Sequence, residues 1–317
     1  MAGALCPTWR VSEDGEIRDK FKTLINVFEM PERTFFEKYS KDDNHQTQSY
    51  LQAWKAYDKK VRAIPCQLPF SNTWIAQDLA AKLPINSTLH LGILNSLRNW
   101  NLFEIDNSIS ASANVGGFGI DGCVSTLIGS AIATPAKLHF GIIGDLAFFY
   151  DLNSIGNRHV PKNLRLLLIN NGGGGEFELS SHFGSQFGKQ TGDYISADGH
   201  FGKKSATLVR DMASSLGFIY LSATTKDEYN ESIQSFISGS GKQPIIFECF
   251  TEFSLESKAL ESMAALDQTN NVNISHNSAK RLTLKRRTKA LLKLSLVRII
   301  NASPSRLKVL IKESITP

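Results

Sequence analysis

Four short apolar segments constrain the fold of this chain more than any other feature. They are TLHLGIL (88–94), HFGIIG (139–144), LRLLLIN (164–170) and PIIFECF (244–250). Each segment is bounded by turn-forming residues and is too short to span a domain as a helix. Runs of this length and composition are typical of strands that are buried on both faces of a parallel sheet.

Helical patterns lie between these strands. TWIAQDLAAKL (73–83) precedes the first strand and GCVSTLIGSAIA (122–133) precedes the second. TLVRDMASSLG (207–217) ends on a glycine that suits a helix C-cap, and Thr225 with Glu228 forms a capping box that begins another helix. The alternation predicts an α/β fold, a doubly wound and mainly parallel sheet with helices on both faces, over roughly residues 71–265.

Composition divides the 317 residues into three parts. Residues 1–67 are polar and charged with short apolar clusters, and we interpret them as the remnant of a further domain. Residues 68–268 form the predicted α/β domain, and residues 269–317 form a basic, partly helical tail. No run of 18 apolar residues and no basic leader followed by an apolar stretch is present, which predicts a cytoplasmic protein.

The four cysteines are scattered and no CxxC spacing occurs, so the sequence indicates neither a zinc site nor a disulfide framework. The charge is also unevenly distributed. Residues 278–317 contain eleven Lys or Arg residues and one acid, Glu313, whereas the rest of the chain is net acidic. This tail predicts contact with an anionic membrane surface, at the inner face of the membrane, or with an acidic partner; a solvated helical extension is the alternative. No nucleic-acid-binding motif accompanies the charge, so a nucleic-acid partner is not expected.

Polar residues follow two of the predicted strands at the point where each strand ends. GIIGDLAFFYDLN (141–153) places Gly144 and Asp145 after one strand, and LLLINNGGGGEF (166–177) places Asn170 and Asn171 after the next. Ligands of open α/β sheets bind at the carboxyl ends of the strands. Carboxylate, amide and carbonyl oxygens suit Mg²⁺, and glycines let the backbone approach a phosphate. Taken singly, Asp145 is equally well interpreted as a helix cap and the glycines as a flexible turn.

The two motifs together are a more specific signal than either motif alone. One helix and one strand fill the interval between Asp145 and Asn171, so both residues are expected at the same edge of neighbouring parallel strands. A rival interpretation comes from Gly117-x-Gly119-x-x-Gly122, which formally matches a dinucleotide-binding fingerprint. We favour it less, because the segment before it is polar and because it leaves the four glycines after Asn171 unexplained.

These motifs resemble a specific family of thiamine-diphosphate enzymes. GDLAFFYDLN and LRLLLINNGGGGEF, with FGIDGCVSTLIG and ILNSL upstream, are similar to the cofactor-binding C-terminal domain of SEPHCHC synthase (2-succinyl-5-enolpyruvyl-6-hydroxy-3-cyclohexene-1-carboxylate synthase). That menaquinone-pathway family decarboxylates 2-oxoglutarate on thiamine diphosphate and transfers the aldehyde unit to isochorismate. The resemblance covers roughly residues 10–265. The chain resembles even more closely a relative of that enzyme from surface-polysaccharide gene sets, which often has GDLAFFYD, GNRH (156–159) and NNG…EF together.

The resemblance implies roles for individual residues. Asp145, Asn171 and the carbonyl of Gly173 match the ligands of the Mg²⁺ that holds the diphosphate of the cofactor. Ile120 matches the aliphatic side chain that keeps the cofactor bent, and Asn95 with Ser96 matches a pair that faces the substrate. The remaining positions expected to border the cofactor are Gly119, Asp121, Gly144, Leu146 and Ala147.

Three positions depart from the family pattern. Val115 and Trp100 occupy the places of two arginines that bind substrate carboxylates in the family, although Arg98 is nearby. Glu176 replaces an aliphatic residue before Phe177, and a carboxylate there would repel an anionic donor unless it pairs with a cation. These departures predict substrates that differ from the family's acidic pair.

The resemblance also predicts that the site is shared. The chain matches the central and diphosphate-binding parts of the family, and we expect it to lack the pyrimidine-binding domain whose glutamate activates the cofactor. The leading hypothesis is therefore a thiamine-diphosphate/Mg²⁺-binding protein of the decarboxylase/transferase type, acting on a 2-oxo acid and poorly active alone. It would need a separate pyrimidine-binding domain or a second subunit, with a homodimer as one arrangement. The alternatives are a non-catalytic cofactor-binding or scaffold subunit in a surface-polysaccharide pathway, and one half of a split decarboxylase.

A glycine-rich and polar segment, SHFGSQFGKQTGDYISADGH, follows the cofactor glycines and is bracketed by His182 and His200. A segment of this length is usually either functional or mobile. A surface loop is the favoured interpretation, and a lid over the site is the alternative. His139 and His159 have no partner that the sequence reveals.

Overall fold

The computed structural model describes residues 6–40, 45–117, 119–180, 182–199 and 205–269. The chain divides into two units between Leu266 and Asp267. The predicted basic tail, residues 278–317, lies outside the described residues. In the described part of the chain, no helix combines the length and the apolar character that crossing a membrane requires.

A six-stranded parallel sheet organises the described part of the first unit. Its strand order is β4-β3-β5-β6-β8-β7, and every neighbouring pair is parallel. The strands are β3 (Thr88–Leu91), β4 (Ser110–Ala113), β5 (His139–Gly144), β6 (Leu164–Asn170), β7 (Ile219–Ala223) and β8 (Ile245–Phe250). The predicted parallel α/β fold is confirmed.

Side chains of β6 show how both faces of the sheet are covered. All seven residues of this strand are buried. Leu167 and Ile169 belong to one apolar cluster, whereas Leu164, Leu166 and Leu168 belong to a second cluster on the opposite face. Successive side chains of a strand point to opposite faces, so an uninterrupted apolar run is what a doubly covered strand requires.

Helices that pack on the sheet supply the remaining side chains of each apolar cluster. The first cluster includes residues of α3 (Asn72–Leu79), α4 (Asn95–Trp100) and α9 (Lys226–Ile237). The second includes residues of α5 (Cys123–Ala133), α6 (Asp145–Tyr150) and α8 (Leu208–Ser215). The other α-helices of the described residues are α1 (Glu32–Tyr39), α2 (His45–Arg62), α7 (Lys189–Tyr194) and α10 (Phe253–Thr269).

Local signals at the helix ends act largely as the sequence predicts. The Thr225 side chain accepts a hydrogen bond from the backbone N–H of Glu228 at 3.3 Å, and the Glu228 carboxylate accepts from Thr224 N–H at 2.6 Å. Gly217 adopts a φ of +81° after α8, a conformation that glycine favours.

The first strand of the sheet ends earlier than its apolar run. β3 stops at Leu91 because the chain turns away at Leu94, which takes a φ of +68°, and α4 begins at Asn95. The apolar run therefore includes both a strand and the turn that follows it.

The N-terminal residues form a small layer of their own. β1 (Thr8–Ser12) pairs in parallel with β2 (Leu24–Glu29) as a two-stranded sheet. Aromatic side chains of this region pack together, with ring centroids of Phe28 and Phe35 separated by 4.9 Å. The assignment of residues 1–67 to the remnant of a further domain stays a prediction.

Candidate functional site

Asp145 links the two strand-end motifs. It is the first residue of α6, directly after β5, and only 1% of it is exposed. One carboxylate oxygen accepts the backbone N–H of Leu146 at 2.8 Å, and the other accepts the N–H of Gly172 at 2.6 Å. Gly144 occupies the N-cap position, so Asp145 is not a simple helix cap. Its carboxylate reaches across to the turn that follows β6.

Asn170 and Asn171 use their side chains differently. Asn170 is buried and its Nδ2 donates to Oε1 of Glu248 at 2.7 Å. The side-chain oxygen of Asn171 is also buried, yet it has no hydrogen-bond partner among the described residues. A buried acceptor without a donor costs free energy unless something else satisfies it. Asn171 thus presents an unsatisfied oxygen on the turn that Asp145 contacts.

Glycines build a tight turn after these asparagines. Gly172 has a φ of +92°, and its carbonyl accepts the N–H of Gly199 at 3.1 Å. The N–H of Gly174 donates to the carbonyl of Ser196 at 2.5 Å. A Cβ atom on Gly173 would lie 3.0 Å from that same carbonyl, so a side chain there would require the neighbouring backbone to shift. The turn is therefore held against the segment that follows it.

That following segment contains short helices rather than an irregular loop. A 3₁₀ turn covers Phe183–Phe187 and α7 covers Lys189–Tyr194. Buried Thr191 donates its hydroxyl to the carbonyl of Gly184 at 2.5 Å. Whether the segment closes over a ligand stays a prediction, because His200 and residues 201–204 lie outside the described residues.

The oxygens at this edge fit a hard divalent cation. Neighbouring β5 and β6 place a carboxylate at Asp145 and the unpartnered oxygen of Asn171 at the ends of adjacent parallel strands. The Gly173 carbonyl accepts the N–H of Gly175 at 3.0 Å, and a carbonyl has a second lone pair for another partner. Within the described residues no group of three His, Cys, Asp or Glu side chains is placed to hold a metal ion. A site here would rely on amide and carbonyl oxygens, which Mg²⁺ accepts.

The arrangement of the glycine-rich segment before α5 does not favour a dinucleotide-binding site. Gly122 caps α5 with a φ of +81°, but the carboxylate of Asp151 accepts the backbone N–H of Ser125 at 2.6 Å and its hydroxyl at 2.9 Å. The N-terminus of α5 thus already has an anion beside it. This arrangement weakens the dinucleotide interpretation, which needs that helix end for a phosphate.

Residues expected to border the cofactor fall at this same edge. Ile120 is half-buried and packs against the apolar cluster beneath α5 and α6, whereas Asp121 is exposed. A methyl group on Gly119 would overlap the Asp121 carboxylate. Ala147 is buried in α6 and Leu146 is half-buried beside it. Their assignment to the cofactor stays a prediction.

The predicted substrate residues lie on α4 beside the glycine turn. Ser96 is buried, with 4% of it exposed. With its amide oriented to satisfy both groups, Asn95 donates to Oε2 of Glu176 at 2.8 Å and accepts the backbone N–H of Glu176 at 2.9 Å. Nη1 of Arg98 lies 2.5 Å from the same Oε2. The carboxylate of Glu176 is therefore paired with a cation.

The two positions where the family pattern has arginines differ in exposure. Trp100 is buried in the core, with 2% of it exposed, and Val115 is 47% exposed. Neither side chain carries a charge to attract a substrate carboxylate.

Two buried carboxylates near the site were not singled out from the sequence. Glu248 accepts hydrogen bonds from Asn170 and from the Tyr220 hydroxyl, the latter at 2.7 Å, and burial raises the pKa of Glu248. Burial also raises the pKa of Glu256 to about 7. The signal for Glu248 is its place in PIIFECF, where a lone acid interrupts a buried apolar run.

Buried His139 has partners that the sequence did not reveal. Its ring nitrogens lie 2.8 Å from the hydroxyls of Thr88 and Thr134, and burial lowers the pKa of the ring. It joins the amino-terminal end of β5 to its neighbours and lies at the opposite end of that strand from Asp145.

Comparison with known proteins gives a consistent group of relatives. No family model matches the chain. It is 32% identical over 255 residues to the 2-succinyl-5-enolpyruvyl-6-hydroxy-3-cyclohexene-1-carboxylate synthase (SEPHCHC synthase) of Bacteroides fragilis, covering 80% of this chain and 44% of that protein. It is 34% identical over 245 residues to the enzyme of the same name from Phocaeicola vulgatus, covering 77% and 42% respectively.

The corresponding protein of Bacteroides thetaiotaomicron is 31% identical over 254 residues, again covering 80% of this chain and 44% of the relative. The chain thus spans less than half the length of the curated relatives that it matches. The resemblance predicted from the strand-end motifs is confirmed, and over about four-fifths of its length this chain is a relative of the SEPHCHC synthases.

Proposed function

We propose that the chain binds thiamine diphosphate through Mg²⁺ at the carboxyl edge of β5 and β6. Asp145, the side-chain oxygen of Asn171 and the carbonyl of Gly173 would be the protein ligands of the metal. The observation that carries the proposal is the buried oxygen of Asn171, which lacks a donor among the described residues and lies on the turn tied to Asp145. A cation at this place would satisfy it.

The surrounding residues would hold the organic part of the cofactor. The first turn of α6, with Leu146 and Ala147, would border the diphosphate, while Gly119, Ile120 and Asp121 would border the rest. The half-buried Ile120 is supported from below by the apolar cluster, so it offers a firm surface. Thiamine diphosphate, when bound, supplies the electron sink that allows a 2-oxo acid to lose carbon dioxide.

Calorimetric titration of the protein with thiamine diphosphate tests this site. We expect binding that depends on Mg²⁺ in the wild type and at least about tenfold weaker binding in Asn171→Ala. Because the Asn171 oxygen has no partner in the described part of the chain, its removal should leave the unfolding midpoint nearly unchanged. Asp145→Ala should abolish binding and also loosen the turn at Gly172.

Asn230→Ala is the matched control, because this asparagine is exposed on α9. It should bind as the wild type does. Absence of Mg²⁺-dependent binding in the wild type, or equal binding by Asn171→Ala, would show that the metal site is wrongly assigned.

For the reaction, we propose decarboxylation of a 2-oxo acid with transfer of the resulting aldehyde unit to an acceptor. The support is the similarity to SEPHCHC synthases, and the chain matches less than half of their length. We also propose that a pyrimidine-binding domain or a second subunit completes the site. The non-catalytic alternative predicts no release of carbon dioxide, and the split-enzyme alternative predicts release only when the pyrimidine-binding part is present.

Carbon dioxide release from a 2-oxo acid, measured with cofactor and Mg²⁺, separates these outcomes. The chain is assayed alone and together with the separately expressed N-terminal half of the Bacteroides fragilis relative. Release only in the mixture supports the shared site. Release by the chain alone contradicts the need for a second part, and no release in either case contradicts the decarboxylase assignment.

A further inference from the structure

A polar cluster of Asn95, Arg98 and Glu176 joins α4 to the turn after β6. The Glu176 carboxylate is bonded to the Asn95 amide at 2.8 Å and to Nη1 of Arg98 at 2.5 Å. The backbone N–H of Glu176 donates to Asn95 as well. Two bonds to the carboxylate and one from the backbone N–H thus hold Glu176 against Asn95 and Arg98.

This cluster borders the candidate metal site. A Cβ atom on Gly175, the residue before Glu176, would lie 3.0 Å from Nδ2 of Asn171. On the other side, the chain that leads into α4 is hydrogen-bonded to β5, since the N–H of Gly92 donates to the carbonyl of Ile142 at 2.9 Å. The cluster therefore lies at the same edge of the sheet as Asp145 and Asn171.

The charges of the cluster are already balanced internally. The Glu176 side chain is 13% exposed and that of Arg98 is 45% exposed. Both line a groove of about 450 Å³, whose wall also carries Glu261, which accepts the Ser180 hydroxyl at 2.7 Å, and His182, whose Nδ1 accepts the N–H of Gly184 at 2.9 Å. In the described part of the chain, the titratable groups of this groove are thus two carboxylates, one guanidinium and one imidazole.

A substrate with a second carboxylate meets an unfavourable choice here. It shares the half-exposed Arg98 with the like-charged Glu176, or it takes Arg98 and leaves a carboxylate that is only 13% exposed without its counter-ion. Taking the cation from the largely desolvated Glu176 carboxylate costs more than a new ion pair at the half-exposed Arg98 gains. A substrate with a neutral side chain leaves the pair intact.

We infer that the Asn95–Arg98–Glu176 cluster sets the substrate specificity of the site, which takes 2-oxo acids with a single carboxylate and a neutral side chain and excludes 2-oxo dicarboxylic acids. This inference rests on the proposed function, because it assumes that a 2-oxo acid is bound beside the cofactor. It adds the class of that acid and names the residues that select it.

The test has two stages, performed on the full chain with Mg²⁺. The first is the titration with thiamine diphosphate, which examines the cofactor site alone. The second follows tryptophan fluorescence while the cofactor-loaded protein is titrated with 2-oxobutanoate, a monocarboxylate, and with 2-oxoglutarate, a dicarboxylate. In the wild type we expect 2-oxobutanoate to bind about tenfold more tightly or better.

Glu176→Gln keeps the size of the side chain but releases Arg98. We expect it to bind the cofactor as before and to shift the ratio of the two dissociation constants toward 2-oxoglutarate by about tenfold or more. Glu261→Gln is the matched control: it removes a carboxylate from the same groove without freeing Arg98, and the ratio should change by less than about threefold.

The outcomes are distinguishable. If the wild type does not bind thiamine diphosphate, the proposed function is overturned, and the inferred specificity with it. If the wild type binds the cofactor normally, three results would overturn the specificity alone. They are a wild-type preference for 2-oxoglutarate, an unchanged ratio of dissociation constants in Glu176→Gln, and no binding of either acid. The wild-type preference is decisive even if the variant does not fold.

Discussion

Glu256 is a buried acid whose titration should be visible in the stability of the protein. It lies near the start of α10, where its carboxylate accepts the backbone N–H of Asn72 at 3.0 and 3.1 Å and the hydroxyl of Thr251 at 2.7 Å. These bonds hold the beginning of α3 against the end of β8. Burial nevertheless raises the pKa of Glu256 from 4.5 to about 7.

A raised pKa of the folded state means that the folded protein binds this proton more tightly than the unfolded chain does. The contribution of Glu256 to stability is therefore fully present below the unfolded pKa and is lost as the pH rises through the folded pKa. Since one pKa unit corresponds to about 1.4 kcal/mol, the shift amounts to about 3 kcal/mol at most. The loss falls between about pH 4.5 and pH 7.

The perturbation is Glu256→Gln, which has the same shape and no titration. Urea unfolding of the metal-free wild type and variant is followed by tryptophan fluorescence between about pH 5 and pH 8. We expect the free energy of unfolding of the variant, relative to that of the wild type, to increase by up to about 3 kcal/mol over this interval. Taking the difference cancels the titration of groups that both proteins share, such as His139.

A difference that is the same at every pH would refute this reasoning. It would mean that Glu256 has a similar pKa in the folded and unfolded states, and that the bonds from Asn72 and Thr251 offset the cost of its burial.

Two further changes test the packing at the site and at the opposite edge of the sheet. Gly173→Ala should weaken Mg²⁺-dependent cofactor binding by about tenfold, because the new Cβ would meet the carbonyl of Ser196 at 3.0 Å. Calorimetric titration measures this change. Gly129→Ala, which has open space around it on α5, is the control and should bind the cofactor normally. Arg165→Lys should lower the free energy of unfolding by about 2 kcal/mol or more, because the fully buried guanidinium donates to three backbone carbonyls at 2.7 to 2.9 Å. Arg210→Lys, at an exposed position, should change it little in the same urea titration.

The sequence predicted the sheet because the relevant signal is local. A strand covered on both faces needs apolar residues at successive positions, and LRLLLIN meets that demand at β6 with every residue buried. The local signal is weakest for strand β4, since NSISASANV is polar. It forms at the edge of the sheet, where one side is free and exposed residues are tolerated.

The same local signals placed Asp145 and Asn171 at one edge. Parallel strands that are neighbours in the sheet end together, so two polar strand ends separated by one helix and one strand were expected to meet. The structure brings the Asp145 carboxylate to the N–H of Gly172, next to Asn171. Their role in binding metal and cofactor stays a prediction for the experiments above.

Side-chain partners distant in sequence were decided only by the tertiary structure. The sequence showed that Glu176 would need a cation, but only the packing of α4 against the glycine turn brought Arg98 to it, 78 residues away. Asn72 and Glu256 are 184 residues apart in sequence, and nothing local marks either as the partner of the other.

The physical reason is the range of each interaction. Burial on two faces and the end of a strand are properties of a short segment, so the chain records them in consecutive residues. The pairing of a buried charge depends on which elements the folded core brings together. For this protein the sequence determined the parallel sheet and the edge at which a cofactor is proposed to bind. The tertiary structure alone decided which charges surround that edge.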